Sequence, residues 1–317
     1  MNAWRMRGWW LGQGRWPLHL FVEIADQSAS HHKQTQPFQT PPMSIDQLPV
    51  SFCGAPGAFS EEAARRYFGP TCATLTAASL EGAFADVEEG RSRAAMVAVE
   101  NSITGCFHGF ADALGDRNLE IAGEVVLGIR HCLMAVPGAR LEGLTEVVSH
   151  PSALSQCRDW LTRTGLSQSP SPDTAAAAQD LVASGDRGRA VLGSRVLAKI
   201  YGLEILAEGL SDHAENVTRF FVMSLPVASS EKASQASSRT AILVGPVEEP
   251  RALRNLRIGL ESRDASRVRA PFMGTRDGCN FVIEFDHPDQ RGDEIARAVL
   301  DKLPYRKLGS WSSRQAG

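Results

Sequence analysis

Five short polar segments hold most of the side chains in this sequence that could do chemistry together. The segments are residues 54–60, 100–105, 149–156, 173–175 and 216–220. The first three follow or end short apolar runs. Together the five segments offer hydroxyl and amide groups, which donate and accept hydrogen bonds, and an imidazole, which can also exchange a proton. If the fold brings them together, they form one polar site.

The glycine-rich loop 54–57, Gly-Ala-Pro-Gly, could approach a phosphate. It matches neither Gly-x-Gly-x-x-Gly nor Gly-x-x-x-x-Gly-Lys-Ser/Thr, so we favour a tight turn that leads into a helix. The sequence also contains no Gly-x-Ser-x-Gly and no His-Glu-x-x-His. The usual signatures of serine hydrolases and zinc peptidases are therefore absent.

His150 and Gln156 differ in type from the residues around them. His150 precedes Pro151 at the end of a predicted strand, where it could act as a general base or simply be a polar residue near a helix start. Gln156 stands among small apolar residues about one turn into the next helix. If Gln156 faces a cleft, its amide supplies both a donor and an acceptor.

The elements that must position these residues alternate between strands and helices. Apolar runs predict strands at 50–53, 94–99, 147–149 and 190–192. Helical patterns are predicted at 60–67, from Pro151 to Gly165, at 175–184 and at 193–201. This alternation predicts an α/β fold, in which ligands bind beyond the carboxyl ends of the strands.

Composition excludes several classes of protein. The 317 residues are 43% hydrophobic and 22% charged, which suits a globular chain of about two domains. The net charge of -3 gives no electrostatic footprint of a nucleic-acid binder. The six cysteines show no zinc-ligand spacing, and no stretch approaches the ~18 apolar residues of a membrane helix. We expect a reduced, cytoplasmic protein that binds no metal, no nucleic acid and no membrane.

Two shifts in composition divide the chain. Residues 1–45 begin with several tryptophans and continue with Gln, Ser, His and Pro, which predicts a disordered extension. Met43 is a candidate start of the native protein. Residues 227–238 are rich in Ser, Ala and Gln and predict a linker. The predicted organisation is thus an extension, a main body over 46–226, the linker, and a tail domain over 239–313.

Five strings, in this order and at this approximate spacing, resemble the prephenate dehydratase family. They are Gly54-Ala-Pro-Gly-Ala-Phe-Ser60, Glu100-Asn-Ser102 with Gly105, Ser149-His-Pro151 with Ala153-Leu154 and Gln156-Cys157, Asp173-Thr-Ala175, and Asn216-Val-Thr-Arg-Phe220. The resemblance spans residues 50 to 224. It implies a two-lobed α/β body like that of periplasmic binding proteins, with its site between the lobes and a hinge near residues 124 and 203.

The resemblance also implies a reaction. Prephenate carries a ring carboxylate, a pyruvyl side chain and a ring hydroxyl, and loses water and carbon dioxide together to give phenylpyruvate, a step of phenylalanine biosynthesis. Aromatisation drives the reaction, and no cofactor is required. One alternative is an arogenate dehydratase, which performs the same elimination on a substrate with an amino group in place of the keto group. Another is a catalytically silent protein of this fold that binds an amino acid or keto acid.

Carried over residue by residue, the resemblance makes Asn101, Gln156 and Thr218 the catalytic positions. Thr218 is favoured as the donor to the departing hydroxyl, a group that a binding protein does not need. Because a threonine hydroxyl is a very weak acid, it must act by positioned hydrogen bonding or within a relay. The predicted substrate-binding residues are Ser102, His150, Thr174, Ala175, Asn216, Arg219 and Phe220.

Arg219 has two interpretations. It follows Thr218 directly, and adjacent side chains of a strand point to opposite faces of the sheet. Arg219 could clamp a substrate carboxylate, or it could form a structural ion pair behind the cleft.

The tail resembles the ACT domain that in this family usually binds phenylalanine and inhibits the enzyme. The predicted regulatory residues are Glu261, Ser262 and Arg263. However, Asp264 and Arg251 replace an expected Pro and Gly, and only seven residues separate Leu253 from Glu261. That is too few for a helix of about 10 residues, a strand and their connections. We therefore expect a shortened first helix in a degraded ACT-like α+β domain, weak or no inhibition by phenylalanine, and a homodimer or homotetramer.

Overall fold

The computed structural model describes residues 45–107, 109–226, 238–245, 250–273, 281–288, 291–300 and 303–312. Apart from Ile45 and Ser238, the predicted extension and linker lie outside these residues, as does the candidate start Met43. The described residues form three sheets with helices packed against them. None of the helices in these ranges combines the length and the hydropathy of a membrane span.

The first sheet belongs to lobe 1, which the chain enters first. Its elements are β1 (Val50–Cys53), α1 (Phe59–Phe68), β2 (Thr74–Ala77), α2 (Leu80–Glu88), β3 (Ala94–Asn101), β4 (Gly105–Cys106), α3 (Phe110–Leu114) and β5 (Glu120–Gly128). Strand β1 pairs in parallel with β2 and β3, and β4 folds back against the end of β3. Helix α1 has acidic residues in its first turn and basic residues in its last, which suits the helix dipole.

The second sheet forms lobe 2. Its elements are β6 (Cys132–Ala135), β7 (Glu146–Ser149), α4 (Pro151–Gln156), α5 (Arg158–Thr164), β8 (Ser167–Pro170), α6 (Thr174–Ser184), β9 (Arg189–Gly193), α7 (Arg195–Tyr201) and β10 (Glu204–Glu208). The strand order is β10-β6-β9-β7-β8, around a core of its own. Asp173 caps α6 by accepting a 2.7 Å hydrogen bond from the backbone N–H of Ala176.

The helix predicted from Pro151 to Gly165 is interrupted. Cys157 leaves helical geometry, with φ -119° and ψ 23°, and thus separates α4 from α5. The backbone N–H of Asp212 donates to the carbonyl of Gln156 over 2.8 Å. A contact from outside the helix therefore satisfies a carbonyl at the break.

Strand β11 (Val217–Ser224) returns the chain to lobe 1 and lies between β3 and β5, antiparallel to both. The chain crosses between the lobes at 129–131 and 209–216. The predicted hinge, near residues 124 and 203, lies a few residues before each crossing. Glu124 lies inside β5, which continues to Gly128, and residue 203 comes before β10 of lobe 2.

The third sheet forms the C-terminal domain. Its elements are β12 (Ser238–Val244), α8 (Pro250–Glu261), β13 (Ser266–Met273), β14 (Phe281–His287), α9 (Gly292–Leu300) and β15 (Tyr305–Ser312). The strands are antiparallel in the order β13-β14-β12-β15, and buried side chains join one face of the sheet to α8 and α9. The α+β tail is thus confirmed.

The prediction of a shortened first helix in this domain is wrong, because α8 is 12 residues long. The prediction assumed that Glu261 already lies in the next strand. In the structure Glu261 is the last residue of α8, and the strand begins only at Ser266.

The C-terminal sheet packs directly on lobe 1. Phe221 of β11 and Trp311 of β15 meet edge to face, with ring centroids 5.6 Å apart, in a buried cluster shared by the two sheets. At Gly309, a Cβ atom would lie 2.3 Å from the carbonyl oxygen of Ile121, so only glycine allows this approach of β15 to β5. Lobe 1 and the C-terminal domain therefore share one core.

Candidate active site

A cavity of about 580 Å³ lies between the two lobes. Lobe 1 contributes the loop 54–60 together with Asn101 and Thr218, and lobe 2 contributes Gln156 and the start of α6. Much of the wall is apolar. We call this cavity the cleft.

Asn101 and Thr218 face each other across paired strands at the cleft. Asn101 ends β3, and the register places it opposite Thr218 near the start of β11. Asn101 Nδ2 donates to Thr218 Oγ1 over 2.9 Å. Asn101 Oδ1 accepts from the backbone N–H groups of Ile103 and Thr104 at 2.9 and 3.0 Å, which fixes the amide orientation. The Thr218 oxygen is therefore an acceptor for Asn101, and its own proton remains to be donated.

Gln156 joins this pair through Asn216. Asn101 Nδ2 also donates to Asn216 Oδ1 over 2.7 Å, and Asn216 Nδ2 donates to Gln156 Oε1 over 2.9 Å. The Gln156 oxygen also bonds to His131 Nε2 at 2.9 Å. One hydrogen-bonded chain thus links Thr218, Asn101, Asn216, Gln156 and His131. Gln156 Nε2 donates one hydrogen to Ser152 Oγ over 3.4 Å, which leaves its second hydrogen for a ligand in the cleft.

His131 is a residue that the sequence reasoning missed. It is 4% exposed, lines the cleft and meets the Phe59 ring edge-on at 5.3 Å. Burial lowers the pKa of His131, and the hydrogen bond to Gln156 opposes this only in part. The neutral ring donates from Nε2, so Nδ1 is an acceptor, and within the described chain no group bonds to it. The signal in the sequence that could have identified His131 was its position just before the apolar run of β6.

Lobe 2 brings a helix start to the cleft. Thr174 and Ala175 begin α6 and line the cleft, and Thr174 Oγ1 lies 3.3 Å from Ser149 Oγ. The backbone N–H groups of the first helical turn carry partial positive charge, which favours a carboxylate. The Asp173 carboxylate, which also lines the cleft, already accepts from the Ala176 N–H, so this helix start can offer an acidic ligand the N–H groups that precede Ala176.

The loop 54–57 is a tight turn, as predicted. The backbone N–H of Gly57, at φ 90°, donates to Glu61 Oε2 over 2.7 Å. The carbonyl of Gly57 accepts from Ser194 Oγ of lobe 2 over 2.7 Å. Ser194, which sequence reasoning also missed, therefore ties the lobes together at the edge of the cleft.

Other predicted residues lie beside the cleft. Ser102 binds backbone, accepting from the N–H of Val217 over 3.0 Å and donating to the carbonyl of Glu215 over 3.2 Å. His150 is exposed at the rim, where Nδ1 caps α4 by accepting from the Ser152 N–H over 3.1 Å. Phe220 is buried and forms part of the cleft wall.

The prediction that Arg219 binds substrate is wrong. Its guanidinium forms two 2.7 Å hydrogen bonds to Glu284 of the C-terminal sheet, on the face of β11 opposite Thr218. Although burial opposes its charged form, the hydrogen bonds to Glu284 and the charges of Glu284, Glu124 and Glu100 raise the pKa of Arg219. The alternative interpretation, an ion pair behind the cleft, is confirmed.

The predicted regulatory residues Glu261, Ser262 and Arg263 lie at the exposed end of α8. Glu261 pairs with Arg257 over 2.8 Å, and the side chains of Ser262 and Arg263 donate to the carbonyl of Gly259. These contacts are local to the helix. Within the described chain, no group of three or more His, Cys, Asp or Glu side chains could hold a metal ion.

Known proteins match the two lobes and, in some cases, most of the chain. The family model described as prephenate dehydratase matches residues 50–227, which include all five residues of the hydrogen-bonded chain. Arogenate dehydratase 3, chloroplastic, of Arabidopsis thaliana is 44% identical over 184 residues, which is 57% of this chain and 43% of that protein. Arogenate dehydratase/prephenate dehydratase 2, chloroplastic, of the same plant is 37% identical over 278 residues, 83% of this chain and 72% of that protein. The chain thus spans less than half the length of the first of these relatives.

A solved structure agrees. The prephenate dehydratase of Arthrobacter aurescens in complex with L-Phe has a TM-score of 0.74 and 28% identity, covering 85% of this chain and 92% of that one. The 85% of this chain that it matches is longer than the segment 50–227 matched by the family model, so the likeness extends beyond the two lobes. Sequence, fold and site geometry agree, and the chain belongs to the prephenate dehydratase family.

Proposed function

We propose that the protein is a prephenate dehydratase, which converts prephenate to phenylpyruvate with loss of water and carbon dioxide. The observation that carries the proposal is the 2.9 Å hydrogen bond from Asn101 Nδ2 to Thr218 Oγ1 at the cleft. This bond uses an acceptor site of the hydroxyl and leaves its proton for a ligand. A donor held in this way suits a departing hydroxyl group.

In the proposed elimination, the bond from the ring to its carboxylate breaks and its electron pair completes the aromatic ring. The carbon–oxygen bond at the hydroxyl breaks with its electron pair on oxygen, and the oxygen leaves as water with a proton that Thr218 passes on and regains from solvent. Negative charge builds on that oxygen as the bond lengthens. The hydrogen bond from Thr218 therefore strengthens in the transition state and lowers the barrier.

The remaining polar groups of the cleft would bind the side-chain carboxylate of the substrate, while the apolar wall would destabilise the ring carboxylate. The start of α6 and the Gln156 NH2 group are suited to the side-chain carboxylate and its neighbouring oxygen. The apolar wall, which includes Phe59, Ile129 and Phe220, solvates the ring carboxylate poorly. Poor solvation favours its departure as neutral carbon dioxide.

An arogenate dehydratase is the second candidate. It is favoured by the names of the two Arabidopsis relatives, both of which include that activity. The elimination is the same, so the same residues serve it. The side-chain amino group of arogenate would meet the cleft where the keto oxygen of prephenate does.

The test is turnover of each substrate by the purified protein after exhaustive chelation. Phenylpyruvate is followed by absorbance and phenylalanine by chromatography, with Thr218→Ala as the comparison. Turnover of prephenate that survives chelation and falls in the variant is the expected result. Turnover of arogenate alone would establish the second candidate. Tight binding of either compound without any turnover would instead indicate a binding protein.

The organisation of the full protein is part of this proposal. We propose a catalytic body over 46–226 and a regulatory domain over 239–313, joined by the linker 227–238. The protein would act in the cytoplasm as a homodimer or homotetramer, with phenylalanine as a weak effector. Support comes from the two lobes, which lie within the first range, and from the third sheet, which lies almost wholly within the second.

A further inference from the structure

Eight charged side chains meet where the C-terminal sheet packs on the back of lobe 1. We call this group the interface ion cluster, and it consists of Glu100, Glu124, Arg219, Arg239, Arg267, Arg269, Glu284 and Asp286. It contains four guanidinium groups and four carboxylates, so opposite charges balance. Lobe 1 and the C-terminal domain both contribute.

Arg219 and Glu284 form the centre of the cluster. Both Nη atoms of Arg219 bond to the two carboxylate oxygens of Glu284 at 2.7 Å, while its Nε lies 3.1 Å from Glu100. Glu284 is 1% exposed and Arg219 is 7% exposed. Buried charges with two parallel hydrogen bonds tolerate little displacement, because any gap leaves a charge without water or partner. The position of Arg219 is therefore tied to the position of Glu284.

The cluster lies directly behind the cleft residues. Thr218 and Arg219 are neighbours in β11, and Asn101 and Glu100 are neighbours in β3. The strands pair so that Thr218 lies opposite Asn101 and Arg219 opposite Glu100. Side chains alternate between the faces of a sheet, so one backbone step separates the cleft pair from the charged pair on each strand.

We propose that Glu284 of the C-terminal domain is a positioning residue for the reaction, which holds Thr218 in place through Arg219. This inference rests on the proposed dehydration. Among the described hydrogen bonds of Glu284, none goes to a residue that lines the cleft, so its effect passes through Arg219 and the backbone of β11. The C-terminal domain would thus complete the catalytic geometry from the rear of the sheet.

The test compares Glu284→Gln with Asp286→Asn in the full chain. Asp286 lies on the same strand and binds Arg239 of the neighbouring strand β12 at 2.7 and 3.3 Å. Among the described ion pairs it has none with Arg219, so its variant removes a carboxylate charge from the same cluster and keeps the partners of Arg219. We expect Glu284→Gln to lower kcat about tenfold or more with little change in KM, because a shifted donor weakens the transition state. Asp286→Asn should keep kcat within about twofold. Equal losses in both variants would overturn the proposal.

A double-mutant cycle with Thr218→Ala separates positioning from general damage. If Glu284 acts through Thr218, the loss caused by Glu284→Gln should largely disappear in the Thr218→Ala background. Losses that simply multiply would contradict the proposal. Should Glu284→Gln fail to fold, Glu284→Asp retains the charge, shortens the side chain, and is carried through the same cycle.

Hydrogen–deuterium exchange gives a readout that needs no activity. Peptides covering Val217–Ser224 should exchange faster in the Glu284 variant than in Asp286→Asn, because the start of β11 has lost its anchor. Unchanged exchange there would overturn the inference. A wild-type protein inactive on both substrates would refute the proposed function alone, since the exchange comparison still tests the link to β11.

Discussion

The Thr218 hydroxyl has one proton and two lone pairs, and the Asn101 amide occupies one of the lone pairs. The Asn101 amide is itself oriented by two backbone N–H groups of the following turn. The direction in which Thr218 can donate therefore depends on the backbone geometry of residues that need not touch the ligand. This dependence explains why a hydroxyl alone, without charge, can be a specific donor.

Thr218→Ala should lower kcat about 100-fold or more and change KM little, by comparison with the loss of a single transition-state donor. Thr218→Ser should recover part of the loss, because it restores the hydroxyl. Steady-state kinetics with prephenate provide the measurement, and Thr162→Ala, which alters an exposed threonine of α5, serves as the control. Near-wild-type kcat in Thr218→Ala would contradict the assigned role.

His131 should make the protein less stable in mild acid. Burial holds its folded pKa below the value of about 6.5 expected in the unfolded chain, so the unfolded state binds a proton first as the pH falls. The free energy of unfolding should therefore decline below about pH 6.5 and level off once the pH is below the folded pKa. Above about pH 7.5 both states are neutral and the contribution vanishes.

His131→Gln isolates this effect, because glutamine retains an amide donor and does not titrate. Urea denaturation at several pH values between 8 and 5 should give a smaller acid decline for His131→Gln than for the wild type. His287, whose pKa burial also lowers, is present in both proteins and cancels in the difference. Parallel curves for the two proteins would contradict the prediction.

At the scale of elements, Thr218 was assigned from the family resemblance. The alternation of apolar runs and helical patterns was enough to predict the α/β body and the end of the strand that leads to Asn101. It could not show which residues lie opposite each other, because the register of β11 against β3 joins segments more than 100 residues apart. It could not show the role of Arg219 either. Strand alternation gave two opposite faces, but the partner Glu284 comes from a separate sheet.

Gly57→Ala should force the lobes apart. A Cβ at this position would lie 2.6 Å from Leu197 Cδ1 and 3.1 Å from Leu197 Cα, and Gly57 also has a positive φ of 90°. We expect a loss of about 1–3 kcal/mol in the free energy of unfolding and a higher KM, because both lobes line the cleft. Gly69→Ala is the matched control, since Gly69 has a φ of 104° and nothing within 4 Å of an added Cβ. Equal KM values in the two variants would contradict the prediction that an added Cβ at Gly57 separates the lobes.

At the scale of the whole molecule, phenylalanine should be a weak effector. The full length of α8 removes one reason for expecting this, but Glu261, Ser262 and Arg263 are engaged in local contacts with their own helix. An effector controls an enzyme only through different affinities for its states. We expect calorimetry to show binding no tighter than about 1 mM, with little inhibition in the same range. Tight, saturable binding with strong inhibition would contradict this expectation.

The position of β11 has a consequence for synthesis on the ribosome. Once residue 208 has emerged, every strand of lobe 2 has been made, whereas lobe 1 still lacks the strand between β3 and β5. Until Ser224 emerges, those two strands have unpaired edges, which are prone to aggregation. The apolar face of the same sheet that lies away from the cleft stays uncovered until β15, which ends at Ser312, has been made. Lobe 1, which is translated first, is therefore completed after lobe 2, the reverse of the usual order in nascent chains.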